Sequence, residues 1–196
     1  MNEKKILIAS KNPDKTKEIS LIFNEVLLSL NDLETVKEIE ETGDTFAENS
    51  KIKAEYYYNC FKIPVIADDS GLVVPALNGK PGVYSARYAG ENADYRENNS
   101  KLLNEMKNLK GDERSAFFIC HAVFFNGIEF IEAEGKVNGY IIEELKGNFG
   151  FGYDPLFFIR QLGKTFAEIS LSEKNKISHR FIAFSKLKQK MKNYLQ

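Results

Sequence analysis

Pro64-Val65-Ile66-Ala67-Asp68-Asp69-Ser70-Gly71-Leu72 is the stretch from which the rest of the chain is read. Its apolar run, Pro64 to Ala67, is the length of a buried strand and too short for a helix. Two adjacent carboxylates follow, with Ser and Gly directly behind them. Strands of this kind usually end in exposed turns, where one of two neighbouring acids can point into a cleft. A hard cation such as Mg2+ takes oxygen ligands and keeps several waters, so one carboxylate can hold metal while an ionised oxygen accepts a proton from a bound water. Read alone, Asp-Asp-Ser-Gly is more often an acidic turn with both side chains solvated.

Outward from this stretch the pattern alternates strand and helix. Lys5 to Ala9 is a short buried strand, Asn12-Pro13-Asp14 a turn, and about Lys15 to Leu30 a helix. Leu33 to Ile39 is expected as a strand. Thr45 then opens a capping box with Glu48, starting a helix that runs to about Phe61. Phe46, Asn49, Lys53 and Tyr57 fall on one stripe of that helix, and a lysine on an inward stripe needs a partner.

Beyond Gly71, the cluster Asn78-Gly79-Lys80-Pro81-Gly82 marks turns, and Asp94 with Glu97 caps a further helix. Ser115 to Phe125 is apolar on both faces and is expected at the centre of the sheet, with Asn126-Gly127 as a hairpin turn. Ile128 to Glu134 and Lys136 to Ile142 read as two more strands separated by Gly135, and His179 to Leu195 as the last helix. No repeat, low-complexity segment or linker interrupts residues 1–196. One α/β domain with a hairpin-rich second lobe is the economical reading.

Length and charge exclude several classes. The 196 residues suffice for a real core, and 27 basic against 28 acidic side chains leave no field for a nucleic-acid polymer or an anionic membrane surface. A small anionic ligand stays open. Cys60 and Cys120 lack the spacing of a metal or redox motif and read as reduced core residues. No apolar run is long enough for a signal peptide or a membrane span, so a soluble, cytoplasmic protein is expected.

Four polar clusters stand where elements should end. Ser10-Lys11-Asn12-Pro13-Asp14-Lys15 is either a plain turn or a phosphate cradle built from a helix start and its side chains. Glu41 and Lys53 are either a solvated charge and a snorkelling lysine or parts of the same site as Asp69. In Gly147-Asn148-Phe149-Gly150-Phe151-Gly152-Tyr153-Asp154-Pro155, glycines permit close approach of the backbone to a ligand and the aromatics offer a face for a base. Before the last helix, Ser172 to Arg180 holds Ser178, a candidate cap, with Lys174 and Arg180. A cation is disfavoured in a helix's first turn, so an anion near Arg180 is attractive.

Six segments, Ser10 to Lys15, Glu41 to Asn49, Ala67 to Leu72, Pro81 to Tyr88, Gly150 to Pro155 and Ser178-His179-Arg180, resemble the ITP/XTP pyrophosphatase family, also called inosine triphosphatases, in the family's order over nearly the whole chain. The resemblance implies an elongated, two-lobed α/β fold with a long central mixed sheet flanked by helices, and a homodimer. It implies Mg2+-dependent hydrolysis of ITP, dITP and XTP to the monophosphate and pyrophosphate. Carried over by residue, it makes Asp69 the catalytic acid and a metal ligand, with Glu41 the second metal carboxylate. Substrate binding falls to Ser10, Lys11, Asn12, Pro13, Asp14, Lys15, Lys53, Ser70 and Lys174, and the base pocket to Phe151, Gly152, Tyr153, Asp154, His179 and Arg180. In this picture Arg180 or backbone N–H groups read a 6-oxo group on a purine stacked on Phe151 or Tyr153.

Two departures from the family pattern stand out: Ser10-Lys11 replaces a common Thr-Gly, and Phe181-Ile182 follows Arg180 where Gly-Arg or Gly-Gln is frequent. Two rival classes are a pyrophosphatase of modified pyrimidine nucleotides and a nucleotide-binding regulator without catalysis. The paired acids Glu41 and Asp69 favour catalysis over the regulator. His121, among Phe117, Ile119, Val123 and Phe125, reads as a packed or interface histidine.

Overall fold

The computed structural model describes residues 5–23, 27–33, 37 and 39–195. Among these residues the sheet has seven strands: β1 (Ile6–Ile8), β2 (Leu27–Ser29), β3 (Val65–Val73), β4 (Ser115–Phe125), β5 (Phe130–Ile141), β6 (Phe157–Ile159) and β7 (Lys164–Thr165). Their order is β2-β1-β3-β4-β5-β6-β7, which puts β4 in the middle, as its two-sided apolarity requires. The sheet is mixed, since β1 is parallel to β2 and β3 while β6 is antiparallel to β5 and β7. Helices α1 (Pro13–Ser20), α2 (Phe46–Phe61), α3 (Tyr95–Glu105), α4 (Leu171–Lys174), α5 (His179–Lys190) and α6 (Lys192–Leu195) complete it. The expected α/β class with a long mixed sheet is what the chain adopts. Among the described residues no helix is long and apolar enough to cross a membrane.

The chain divides into two compact units, one of Met1–Asp69, Cys120–Gly135 and His179–Gln196, the other of Ser70–Ile119 and Lys136–Ser178. In the first unit, strand alternation sorts the core into two layers. Ile6, Ile8 and Ile66 pack with Ile19 of α1 and Ala183, Phe184 and Leu187 of α5. Leu7, Val65 and Ala67 pack with Ala54 and Tyr57 of α2. The second unit has its own core, in which Leu72, Leu102, Phe118, Leu156, Phe157 and Phe166 are central.

Three expectations change on contact with the structure. β3 continues to Val73, so Asp68 and Asp69 lie inside a strand and not at its end. Alternation therefore directs them to opposite faces, Asp68 with Ile66 and Asp69 with Val65 and Ala67. The helix expected from Lys15 to Leu30 starts at Pro13, capped by the Asn12 side chain, and ends at Ser20. Leu27 to Ser29 pair with β1 instead, because a short apolar run serves an edge strand as well as a helix.

The break expected at Gly135 is absent, since β5 runs straight through it. The glycine is there for space: a Cβ would lie 2.1 Å from the His179 carbonyl oxygen and 2.5 Å from the Ala183 nitrogen, so α5 lies directly on the strand. The strand expected over 33–39 falls largely outside the described residues, and Leu33, Lys37 and Ile39 are not in strands.

Candidate active site

In the first unit, α2 and β3 bring one face of the acid pair to a lysine. The expected capping box is present, with Glu48 N–H donating to Thr45 Oγ1 at 3.1 Å and Glu48 Oε2 accepting from Thr45 N–H at 3.0 Å. It sets the start of α2 so that Asn49, Lys53 and Tyr57 turn inward. Lys53 Nζ lies 2.7 Å from Glu41 Oε1 and donates to the Asp68 carbonyl oxygen at 2.9 Å. Burial alone would lower its pKa, yet Glu41, Asp69 and Asp68 together raise it, so it stays charged.

Asp69 is almost wholly buried and accepts a bond from Asn49 Nδ2 at 3.2 Å. Burial pushes its carboxyl up to about 6, with Lys53 pulling down and Glu41 pushing up. A carboxylate poised near neutrality is suited to taking a proton.

On the opposite face Asp68 faces cations. Lys15 Nζ of α1 lies 3.2 Å from Asp68 Oδ2, and Arg180 Nε of α5 lies 3.6 Å from the same oxygen. Burial would raise Asp68, but Lys15, Arg180 and Lys53 hold it well below the usual carboxylate range. Arg180 also ion-pairs with Glu18 of α1, and all three side chains are nearly inaccessible. Arg180, expected to read the base edge, thus has its guanidinium engaged by Glu18 and Asp68. Glu18 escaped sequence reasoning, although Lys15 and Glu18 are three apart and share a helix face.

The turn from Ser10 to Lys15 is ordered by its own side chains. Asn12 N–H donates to Ser10 Oγ at 3.2 Å, and Asn12 Oδ1 accepts from the N–H groups of Asp14 and Lys15 at 2.9 and 3.2 Å. Pro13 occupies the first helical turn, Lys11 and Asp14 are exposed, and Lys15 is half-buried. This is a helix start with a lysine at it, so positive charge collects there although its first N–H groups are taken up by Asn12.

The second unit gathers another set of the expected residues. Lys174 Nζ of α4 lies 2.5 Å from Asp154 Oδ2, an oxygen that also accepts from Phe151 N–H at 2.9 Å. The ammonium sits 4.5 Å from the centre of the Phe151 ring and 5.6 Å from that of Phe166, a cation–π box. Gly150, at φ +72, has no alternative here, for a Cβ would come within 2.1 Å of Asp154 Oδ2.

Tyr153 is buried and donates through its hydroxyl to the Ser85 carbonyl at 2.9 Å, whereas Phe151 is half-buried, with Lys174 over its ring and Tyr95 beside it. Asn99 of α3, also missed from sequence, donates to the Gly152 carbonyl at 3.0 Å and steadies the same loop. Ser70 is half-buried next to the acid pair in β3. His179 is buried at the start of α5.

Comparisons with known proteins bear on the family and the fold. A family model described as the Ham1 family matches residues 6–190. A dITP/XTP pyrophosphatase of Clostridium perfringens (strain 13 / Type A) is 52% identical, over 98% of this chain and 100% of that one. One from Bacillus subtilis (strain 168) is 48% identical over 94% and 95%. Among solved structures, the Staphylococcus aureus Ham1 protein superposes with a TM-score of 0.88 at 41% identity, covering 97% of this chain and 100% of that one. A HAM1 protein from Coxiella burnetii gives 0.87 at 37% identity, over 96% and 98%.

Fold, acidic cluster and relatives together define the class, a nucleoside-triphosphate pyrophosphatase. The resemblance read from the six motifs is confirmed by these matches. The chain belongs to the Ham1 family.

Proposed function

We propose that this enzyme hydrolyses the α–β phosphoanhydride of dITP, ITP and XTP, releasing the nucleoside monophosphate and pyrophosphate with Mg2+ as cofactor. One observation carries the chemistry: Asp69 is a buried carboxylate raised to about 6, beside a second carboxylate and a charged lysine. Among the described residues no three Asp, Glu, His or Cys side chains converge as a metal cage. Mg2+ does not need one, since it is commonly held by one or two carboxylates, waters and substrate phosphates. The repulsion by which Glu41 raises Asp69 is what a bound divalent cation would relieve, so these oxygen donors fit the ion.

Glu41 and Asp69 are the residues that would hold it, and when bound it supplies charge neutralisation on the phosphates. Asp69 takes the proton of the attacking water. Lys15 and Lys53 set positive charge against the triphosphate and the departing pyrophosphate, and the positive end of the α1 dipole adds to it. Base recognition we assign to the loop from Phe151 to Asp154 with Lys174. Phe151 provides stacking, which is indifferent to the exocyclic group. A donor presented by that loop would match a 6-oxo group and oppose the 6-amino group of ATP, a mismatch worth about 1–3 kcal/mol per unpaired buried group. Arg180 we assign to holding Asp68. The homodimer implied by the resemblance belongs to the same proposal, and light scattering of the purified protein checks it.

The decisive experiment separates the products formed from ITP and Mg2+ in water enriched with heavy oxygen. Inosine monophosphate carrying the label, with unlabelled pyrophosphate and no turnover in excess chelator, is the expected result. Inosine diphosphate and free phosphate as main products would overturn the proposal.

A further inference from the structure

We infer that Asn49 is a positioning residue for hydrolysis, fixing the Asp69 carboxylate and the loop that carries Glu41 in a single arrangement. The inference rests on the roles proposed for Asp69 and Glu41. Asn49 lies in the first turn of α2 and is almost fully buried. Its backbone N–H is already satisfied by the Thr45 carbonyl at 3.1 Å, which leaves the side-chain amide for other work. Nδ2 donates to Asp69 Oδ2 at 3.2 Å, and Oδ1 accepts from the Gly43 N–H at 2.7 Å.

The two bonds lock the amide. Turning it over would set its NH2 against the Gly43 N–H and its oxygen against the Asp69 carboxylate, donor on donor and acceptor on acceptor. Neither a carboxylate nor a hydroxyl reproduces this one-donor, one-acceptor reach. The neighbouring N–H groups of Asp44 and Thr45 are taken by Glu48 Oε2 at 2.9 and 3.0 Å, so three consecutive loop amides are tied to the first turn of α2. Glu41 sits two residues upstream of that anchor. Its distance from Asp69 is therefore set through Asn49 as well as through Lys53.

Gly43 makes the same point from the other end. A Cβ there would lie 2.8 Å from Asn49 Oδ1 and 2.7 Å from Glu48 Cβ, so the loop can close on the amide only because the residue is glycine. Gly43→Ala should therefore loosen the link while leaving Asn49, Asp69 and Glu41 chemically intact.

The test measures pyrophosphate release by Asn49→Ala, Gly43→Ala and the double variant. Misplacing a reacting group lowers turnover and not ground-state binding, so kcat should fall about 10- to 100-fold with KM within about threefold. Because both changes cut one link, the double variant should be scarcely worse than Asn49→Ala. Hydrogen exchange at the Gly43 amide, read by NMR on the variant without nucleotide, should quicken in Asn49→Ala. Should Asn49→Ala fail to fold, Gly43→Ala still carries the test. A wild-type protein that releases no pyrophosphate refutes the underlying reading. Wild-type release with unchanged kcat in both variants, losses confined to KM, or losses that multiply in the double variant overturn the role of Asn49 alone.

Discussion

Asp68 and Asp69 are neighbours in sequence with opposite chemistry. Burial disfavours the charge on both, but Lys15 and Arg180 outweigh it for Asp68, whereas at Asp69 burial and Glu41 outweigh Lys53. The two shifts act on stability with opposite sign. Asp68 binds fewer protons folded than unfolded, so its contribution is present at neutral pH and lost as pH falls below the ordinary carboxylate range. Asp69 binds more protons folded than unfolded. Its contribution is therefore present below about pH 4 and lost as pH rises through its folded value, which is about 6.

Asp69→Asn removes a charge that burial disfavours together with the proposed proton acceptor. We expect kcat to fall about 100-fold or more while the metal-free protein gains about 1–3 kcal/mol at pH 8 and less at pH 5. Activity assays and thermal melts at the two pH values check both halves, and an active variant, or one that melts below wild type at pH 8, contradicts them. In the metal-free wild type, an NMR titration of the Asp69 carboxyl should centre near 6 and move down when Mg2+ is added.

At the scale of elements, a buried line of charge joins α1, α5 and β3 through Glu18, Arg180 and Asp68. Removing the guanidinium leaves two buried carboxylates without that cation. Arg180→Ala should therefore cost about 3–5 kcal/mol, measured by denaturant unfolding, and lower turnover of ITP and ATP by the same factor. A selective loss of ITP turnover would instead return Arg180 to the base edge. The placement of α5 against β5 is equally exposed to a single atom. Gly135→Ala would drive a Cβ to 2.1 Å from backbone, and the strand and helix must part, at a cost of about 1–3 kcal/mol or more. A melt indistinguishable from wild type would contradict that packing.

These elements also show what could be read in advance. α2 was legible to the residue, because Thr45 and Glu48 form a local cap and the Asn49, Lys53, Tyr57 stripe has helical period. Asp69, the proposed catalytic acid, was legible as part of a motif, and the fold brings it together with Lys53 and Glu41. Gly135 was misread because a glycine that ends a strand and one that admits a helix look alike in sequence. Glu18 with Arg180 was not legible at all, since a partner 162 residues away leaves no local pattern.

For the molecule as a whole, 27 basic and 28 acidic side chains cancel, so its attraction for a polyanion is local and not a property of its overall field. In the first unit the cluster sets Lys15, Lys53 and Arg180 among Glu18, Glu41, Asp68 and Asp69, and these cations are already paired at close range. On the proposed reading a nucleoside triphosphate would be held at short range, by groups whose interactions salt screens little once they are buried. A nucleic-acid polymer needs instead a row of free cations spaced along its phosphates, whose binding falls steeply with salt. The expected outcome is that kcat/KM for ITP changes by less than about threefold between 50 and 300 mM salt at constant free Mg2+, whereas a protein neutralising several phosphates of a polymer loses orders of magnitude over a similar span. The same preparation should pass a heparin or DNA column unretained at 100 mM salt. Retention on either column, or a kcat/KM that drops tenfold or more over that range, would mean that a basic surface far from the cluster steers the substrate, and the near cancellation of charge would conceal a strongly divided one.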